Sequence, residues 1–445
     1  MATVVGLGVP VYAGWQRGRT YAIVAAITLG LALPGALVVH ARLTSALAPE
    51  IATLLHLAFG WGIAAAGLHL ASLATPRLRS RPFRALVSIP GMAFAAAGSL
   101  AGAWLLALLP LRAVAAGMGL GALPVWLDAL PFAIVGLSLL TSTRAPSETV
   151  RFALGTDGPD LVQRLPVERH RRRPAPATGR PLRIVQIADP HLGPWQSVRA
   201  LRRRIETLIT HDPDLVMLTG DFLTMEGRGT PGALAEALAP LAPLAGRCVA
   251  VLGNHDHEAL EEVQGALTAA GITLLVDEEI LLETAGGSVQ IVGADWVGRG
   301  CRDHLQALLA RYPRRAEHFR LLLLHDPRGF RFVPKGDVDL TLSGHTHGGQ
   351  IGLVSLGLQW TVLAGSRWPD HGLFGHGSNR LYVHRGTGFY GFPMRIGVPG
   401  EASVLEVFPP HVGESLPDAA AGHPLHEGSF SRAGLTQPSA RRSTP

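Results

Sequence analysis

"VDLTLSGHTHGGQ", residues 338–350, opens as an alternating apolar stretch and ends on two histidines set two apart among glycines. A short β-prone run bounded by turn residues reads as a buried strand. The same grammar recurs upstream. "LRIVQI" (182–187) leads to Asp189-Pro190-His191, "DLVMLTGD" (214–221) ends at Asp221, "CVAVLGNHD" (248–256) ends at Asn254, His255 and Asp256, and "RLLLLHD" (320–326) ends at His325. Amphipathic helical patterns lie between several of these runs, near 196–211, 232–245, 258–270 and 302–312. Alternating strand and helix predicts an α/β domain. In such domains functional groups gather at the carboxyl ends of strands, where every one of these polar clusters lies.

The clusters supply Asp189, His191, Asp221, Asn254, His325, His345 and His347, with His255 beside them. Imidazoles and carboxylates together suit divalent ions such as Mn, Fe or Zn. The donors are too many for one ion, and a carboxylate such as Asp221 can bridge two. A pair of ions holding both non-bridging oxygens, with a hydroxide between them attacking phosphorus in line, is the recurring device for phosphate-ester hydrolysis. Gly344, Gly348 and Gly349 allow a sharp turn close to such ions. In an extended segment Thr346 would point away from them. Pro190 fixes its own φ and biases Asp189 toward an extended conformation.

The five blocks D-P-H, GD, GNHD, a lone histidine after a strand, and GHTH, in that order, resemble the calcineurin-like metallophosphoesterase superfamily. The resemblance covers roughly residues 148–408. "SGHTHGGQIG" and the apolar amino-terminal third look like its membrane-associated branch, some bacterial members of which act on UDP-diacylglucosamine. The resemblance implies a β-sandwich flanked by helices, an αββα four-layer domain. It implies that Asp189, His191 and His347 hold a first metal, Asn254, His325 and His345 a second, and that Asp221 bridges them. It places His255 near the leaving-group oxygen as proton donor and Asp256 behind it, orienting the imidazole.

The rest of the chain sets the context. Of 445 residues, 47% are hydrophobic and only 16% charged, lean for a soluble protein. Apolar runs near 21–41, 51–74, 85–109 and 120–141 are each long enough for a bilayer core of ~30 Å. None has a polar stripe for a water-facing surface. The first could instead be a signal peptide, since Ala46-Leu47-Ala48 resembles a cleavage site; its length and Pro49 favour an uncleaved helix. Arg17, Arg19, Arg77, Arg79, Arg81, Arg84, Arg144 and Arg151 flank one side of these runs, and only Arg42 and Arg112 the other. The positive-inside rule then puts both termini and the α/β domain in the cytoplasm.

The expected organisation is a cytoplasmic segment 1–20, a four-helix transmembrane region 21–143, a basic linker with first strands 144–181, the catalytic domain 182–408 and a disordered tail 409–445. The linker's "ERHRRRPAPATGR" (168–180) suits anionic headgroups or open solvent. It has no interleaved aromatics, so nucleic acid is not expected. Cys248 and Cys301 lie far apart and form no zinc or disulfide pattern. The expected activity is two-metal hydrolysis of a phosphomonoester, phosphodiester or pyrophosphate. The substrate is lipid-linked, like a UDP-diacylglucosamine, or else a soluble nucleotide or phosphoprotein. A membrane sensor with a metal-binding domain is the rival from another class.

Overall fold

The structure, a computed structural model, describes residues 1–408 apart from Thr156, residues 172–179, Arg367, Tyr390 and Pro393. Most of the basic stretch 168–180 and the whole tail 409–445 therefore lie outside the described residues.

The amino-terminal third is helical. α1 (Ala2–Arg17) turns back on α2 (Arg19–Ala46) through Gly18 alone, whose φ of 100° suits glycine. α3 (Pro49–Ser72) and α4 (Arg81–Gly117) follow, then α5 (Trp126–Ser142). α2, α3 and α4 are long and apolar enough to cross a membrane. α4 opens through a π-helical stretch, Arg84–Ser88. Within the expected segment 1–20, Ala2–Arg17 forms a helix that packs along α2. The fourth run yields a helix of only 17 residues, α5, since Pro124 delays its start. Asp128, which interrupts that run, lies in its first turn, fully buried. Its carboxylate takes Arg42 from the end of α2 and Arg112 from α4. The two arginines flanking the far side thus join three helices on one acid.

Strands form within residues 144–181, the segment expected to hold the linker and the first strands. β1 (Ser147–Ala153) pairs in parallel with the last strand, β14 (Ala402–Phe408). β2 (Gln163–Arg164) and β3 (Glu168–His170) also fall in that segment. The pairing draws that segment into the sandwich. The remaining strands are β4 (Leu182–Ile187), β5 (Leu215–Leu218), β6 (Cys248–Ala250), β7 (Thr273–Leu274), β8 (Glu278–Thr284), β9 (Gly287–Ala294), β10 (Phe319–Leu324), β11 (Leu340–Ser343), β12 (Gly372–His376) and β13 (Asn379–Val383). They build two seven-stranded sheets, ordered β3-β1-β14-β4-β5-β6-β7 and β2-β12-β13-β11-β10-β9-β8. Within them β4 to β7 run parallel, as do β9, β10, β11 and β13.

Alternation inside wholly apolar strands makes the layers. Ile184, Met217, Val249, Leu321, Leu323 and Leu342 meet between the sheets. Val185, Val216 and Leu218 face outward onto α6 (Val198–Ile209), α7 (Ala233–Leu238) and α8 (Leu260–Ala269). Leu322 and Leu324 face outward onto α9 (Cys301–Arg311). This is the four-layer αββα arrangement expected. The parallel strands of both sheets deliver their carboxyl ends to one edge.

Replacing Asp128 by Ala leaves two guanidinium groups without their shared acceptor, at a cost of ~2 kcal/mol. Asp128→Ala is expected to lower the melting temperature of detergent-purified protein by a few degrees, read by scanning fluorimetry. An unchanged midpoint would show that the three helix ends hold together without the acid.

Candidate metal centre

All seven expected donors converge at that edge. The donor atoms of Asp189, His191 and His347 lie within 4.8 Å of one another, and so do those of Asp221, His325 and His345. Asn254 joins the second group. Its Oδ1 is 2.9 Å from His345 Nδ1 and 3.2 Å from His325 Nε2. Between the groups, Asp221 Oδ2 is 3.6 Å from His191 Nε2 and 3.4 Å from His325 Nε2. Asp221 therefore faces both, the position a bridging carboxylate needs.

The backbone is bent hard to achieve this. Asp189, His191, Asp221, His345 and His347 all have positive φ, between 41° and 70°. Asp and His tolerate the left-handed region better than most residues, yet each costs roughly 1 kcal/mol or more. Asp189 thus departs from the extended conformation its following proline favours. Tertiary hydrogen bonds hold it: its N donates to Gly220 O, its carbonyl accepts from Gly388 N, and its carboxylate accepts from His345 N. Thr346 does turn away from the donors, but through a turn rather than an extended chain; its Oγ1 donates to Asp370 O at 2.5 Å. Gly344 is required by contact. A Cβ there would lie 2.3 Å from Asp189 Oδ2, and one on Gly253 would lie 2.3 Å from Asp221 Oδ1.

The donor chemistry fits cations. His325 Nδ1 lies 2.7 Å from Thr219 O. A carbonyl only accepts, so Nδ1 carries a proton, and Nε2 is the nitrogen that faces Asn254 and His345 and would lend its lone pair to a metal. Burial lowers His191 to about 3, against the pull of Asp221. Burial, reinforced by His325, lowers His345 to about 4. Burial and the neighbouring His191 hold His347 well below its usual value. These three rings are neutral at pH 7, with lone pairs available to a metal. His325 goes the other way: burial opposes its charge, but Asp221 outweighs burial and raises it to about 10. Burial works against the charge of Asp221 too, and His325 overcomes it, holding the carboxyl well below its usual range.

Asp256 corrects the expectation for it. Its buried carboxylate accepts from Asp221 N at 2.7 Å, Phe222 N at 2.8 Å and Gly253 N at 2.8 Å. It holds the loops that carry Asp221 and Asn254, where it was expected to orient the imidazole of His255. Three amides lie within reach of its two oxygens, and they satisfy it. His255 Nδ1 instead lies 3.2 Å from Arg228 and 3.5 Å from Glu258. A guanidinium only donates, so Nδ1 accepts and the neutral ring keeps its proton on Nε2. The ring is partly exposed and stands 5.7 Å from that of His191.

Arg228 and Arg395 escaped the sequence reading. Arg395 is buried and donates to the carbonyls of His347, Arg385 and Gly388. Neither arginine follows a strand or sits in a repeated motif, so no local signal marks it. His371 lies against Asp370, and His384 Nδ1 accepts from Gly386 N.

Residues 182–349 match the family model for the calcineurin-like phosphoesterases. The metallophosphoesterase YkuE of Bacillus subtilis is 32% identical over 233 residues, which are 50% of this chain and 78% of that protein. The phosphodiesterase YaeI of Escherichia coli is 30% identical over 234 residues, 51% of this chain and 82% of that protein. A transmembrane protein with metallophosphoesterase domain from Danio rerio is 30% identical over 234 residues, 48% of this chain and half of its own length. With two donor groups at the strand ends of an αββα sandwich, and relatives matched over most of their length, this chain belongs to the calcineurin-like metallophosphoesterases and is a hydrolase of phosphoesters.

Proposed function

We propose that the protein is a two-metal phosphodiesterase, held in the membrane by several passes with its catalytic domain on the cytoplasmic side, and that it acts on an amphipathic, lipid-linked phosphoester. The convergence of seven donors in two groups that share Asp221 carries the two-metal reading. Asp189, His191 and His347 would hold one divalent cation, and Asn254, His325 and His345 the other, with Asp221 common to both. Cations bound there supply Lewis acidity toward the ester's oxygens. The identity of the metals, Mn, Fe or Zn, follows from none of the donors alone, since all three accept mixed imidazole and carboxylate sets.

The chain's own residues then have separate tasks. His255 presents a protonated Nε2 while Arg228 occupies Nδ1, which suits it to donate a proton or hydrogen bond to a departing alkoxide. Asp256 keeps the loops of Asp221 and Asn254 in place. The diesterase preference is supported by the Escherichia coli relative, which is named a phosphodiesterase. The cytoplasmic side is supported by arginines at the domain-proximal ends of the helices. Arg17 donates to Leu73 O and reaches Met225, and Arg84 donates to Pro194 O. The lipid-linked substrate is supported by the direct packing of the domain on the helices. Hydrolysis of a soluble nucleotide or phosphoprotein is the second reading, because the donor groups themselves carry no preference for a lipid.

Purified protein supplied with Mn²⁺ is expected to hydrolyse a chromogenic phosphodiester. Absence of turnover by metal-loaded, folded protein would favour a metal-binding sensor instead. His255→Ala is expected to keep its metal content and lose roughly 10²–10⁴-fold in turnover; loss of bound metal would overturn the donor role. Asp221→Asn is expected to deplete both ions by elemental analysis, and two retained ions would refute the bridge. Asp256→Ala strands three buried amides, which destabilises by roughly 3 kcal/mol. Its melting temperature should fall well below that of His255→Ala. Equal midpoints with a shifted pH profile would return Asp256 to the side of His255.

A further inference from the structure

A cavity of about 240 Å³ lies where the helices meet the α/β domain. Leu70 and Met92 line it from α3 and α4; Trp195, Met225, Phe389 and Phe392 line it from the domain. Each domain-side wall continues a loop that builds the metal centre. Trp195 follows His191 by four residues, and Met225 follows Asp221 by four. Phe389 follows Gly388, whose N donates to Asp189 O. The Trp195 and Phe389 rings lie 5.5 Å apart, and Trp195 Nε1 is 3.3 Å from Met92 Sδ across the joint.

The cavity reaches into the depth of the helices. Thr28, nine residues into α2, borders it, and so does Ala95 of α4. Val24 both lines the cavity and is 42% exposed, with Ile23 and Ile27 exposed beside it. The cavity therefore meets the outer, lipid-facing surface of α2. One wall is polar. Glu226 is buried, accepts from Thr224 Oγ1, and lies 4.0 Å from His69 Nε2. His69 is 4% exposed, and its Nδ1 has no hydrogen-bond partner among the described residues.

We infer that this cavity is the acyl-chain site of the enzyme's substrate: one hydrocarbon tail of a membrane phosphoester enters from the lipid side and lies between the helices and the loops of the metal centre, with a tail-proximal oxygen or hydroxyl facing His69 and Glu226. The inference rests on the phosphodiesterase reading and locates the tail of its lipid-linked substrate. An apolar cavity of about 150 Å³ suffices to bind benzene, so this one holds a longer apolar group. A tail is favoured over a soluble apolar ligand because the mouth lies at membrane depth, where lipid chains are the abundant occupant. The unpartnered nitrogen of His69 gives the site a polar end, as an ester- or hydroxyl-bearing chain requires.

The test uses the full-length protein in detergent with Mn²⁺ and a series of 4-nitrophenyl alkyl phosphates of rising chain length, each below its critical micelle concentration. Wild-type kcat/KM is expected to rise up to about fourfold per added methylene until the cavity is filled. Ala66→Phe, which puts a ring into the cavity from α3, is expected to flatten that dependence while the methyl ester turns over at the wild-type rate. Met92→Trp fills it from α4 and serves if the first variant does not fold. A flat length series in the wild type, or an equal slope in the filled variants, overturns the acyl site and leaves the phosphodiesterase intact. Failure of the wild type to cleave any member of the series would defeat the phosphodiesterase reading itself.

Discussion

A single buried carboxylate holds the catalytic edge together. Asp256 binds the amides of Asp221, Phe222 and Gly253, and so ties the loop after β5 to the loop after β6. Asp221 in turn accepts from His255 N. These bonds keep Asp221 in a left-handed conformation that an isolated chain would leave. Five donor residues share that conformation. A left-handed residue at a strand end redirects the chain at once, so the side chain stays over the sheet edge while the backbone turns away. Without this constraint the donors would splay along five diverging strands.

The same economy governs the small residues. Gly344 and Gly253 stand where a methyl group would collide with the carboxylates of Asp189 and Asp221. The site is thus closed by backbone on its inner side. Charge is balanced within it by His325, held as a cation against Asp221.

The joint between helices and domain is as specific as the site. Arg17, Arg84 and the amide of Leu78 reach across it to Met225, Pro194 and Thr230. These contacts fall on the segments that follow His191 and Asp221. The helices are therefore packed against the continuation of the metal loops, and a cavity lies between the two.

Much of this was legible in residue order. Strand ends carrying Asp189, Asp221, Asn254, His325, His345 and His347 announce themselves, because a strand needs a local apolar run and a metal donor needs a particular side chain. Helical segments announce themselves by length and hydropathy. What stayed hidden depends on neighbours distant in sequence. Asp256 follows His255 directly, yet its carboxylate turns to amides of another loop. Asp189 precedes a proline, yet tertiary bonds override the local preference. Arg395 carries no motif, and the pairing of β1 with the distant β14 is not marked in either segment. Residue type and spacing decided which chemistry is available. Only packing decided which atom each group serves, because a hydrogen bond is chosen by proximity in space and not by order along the chain.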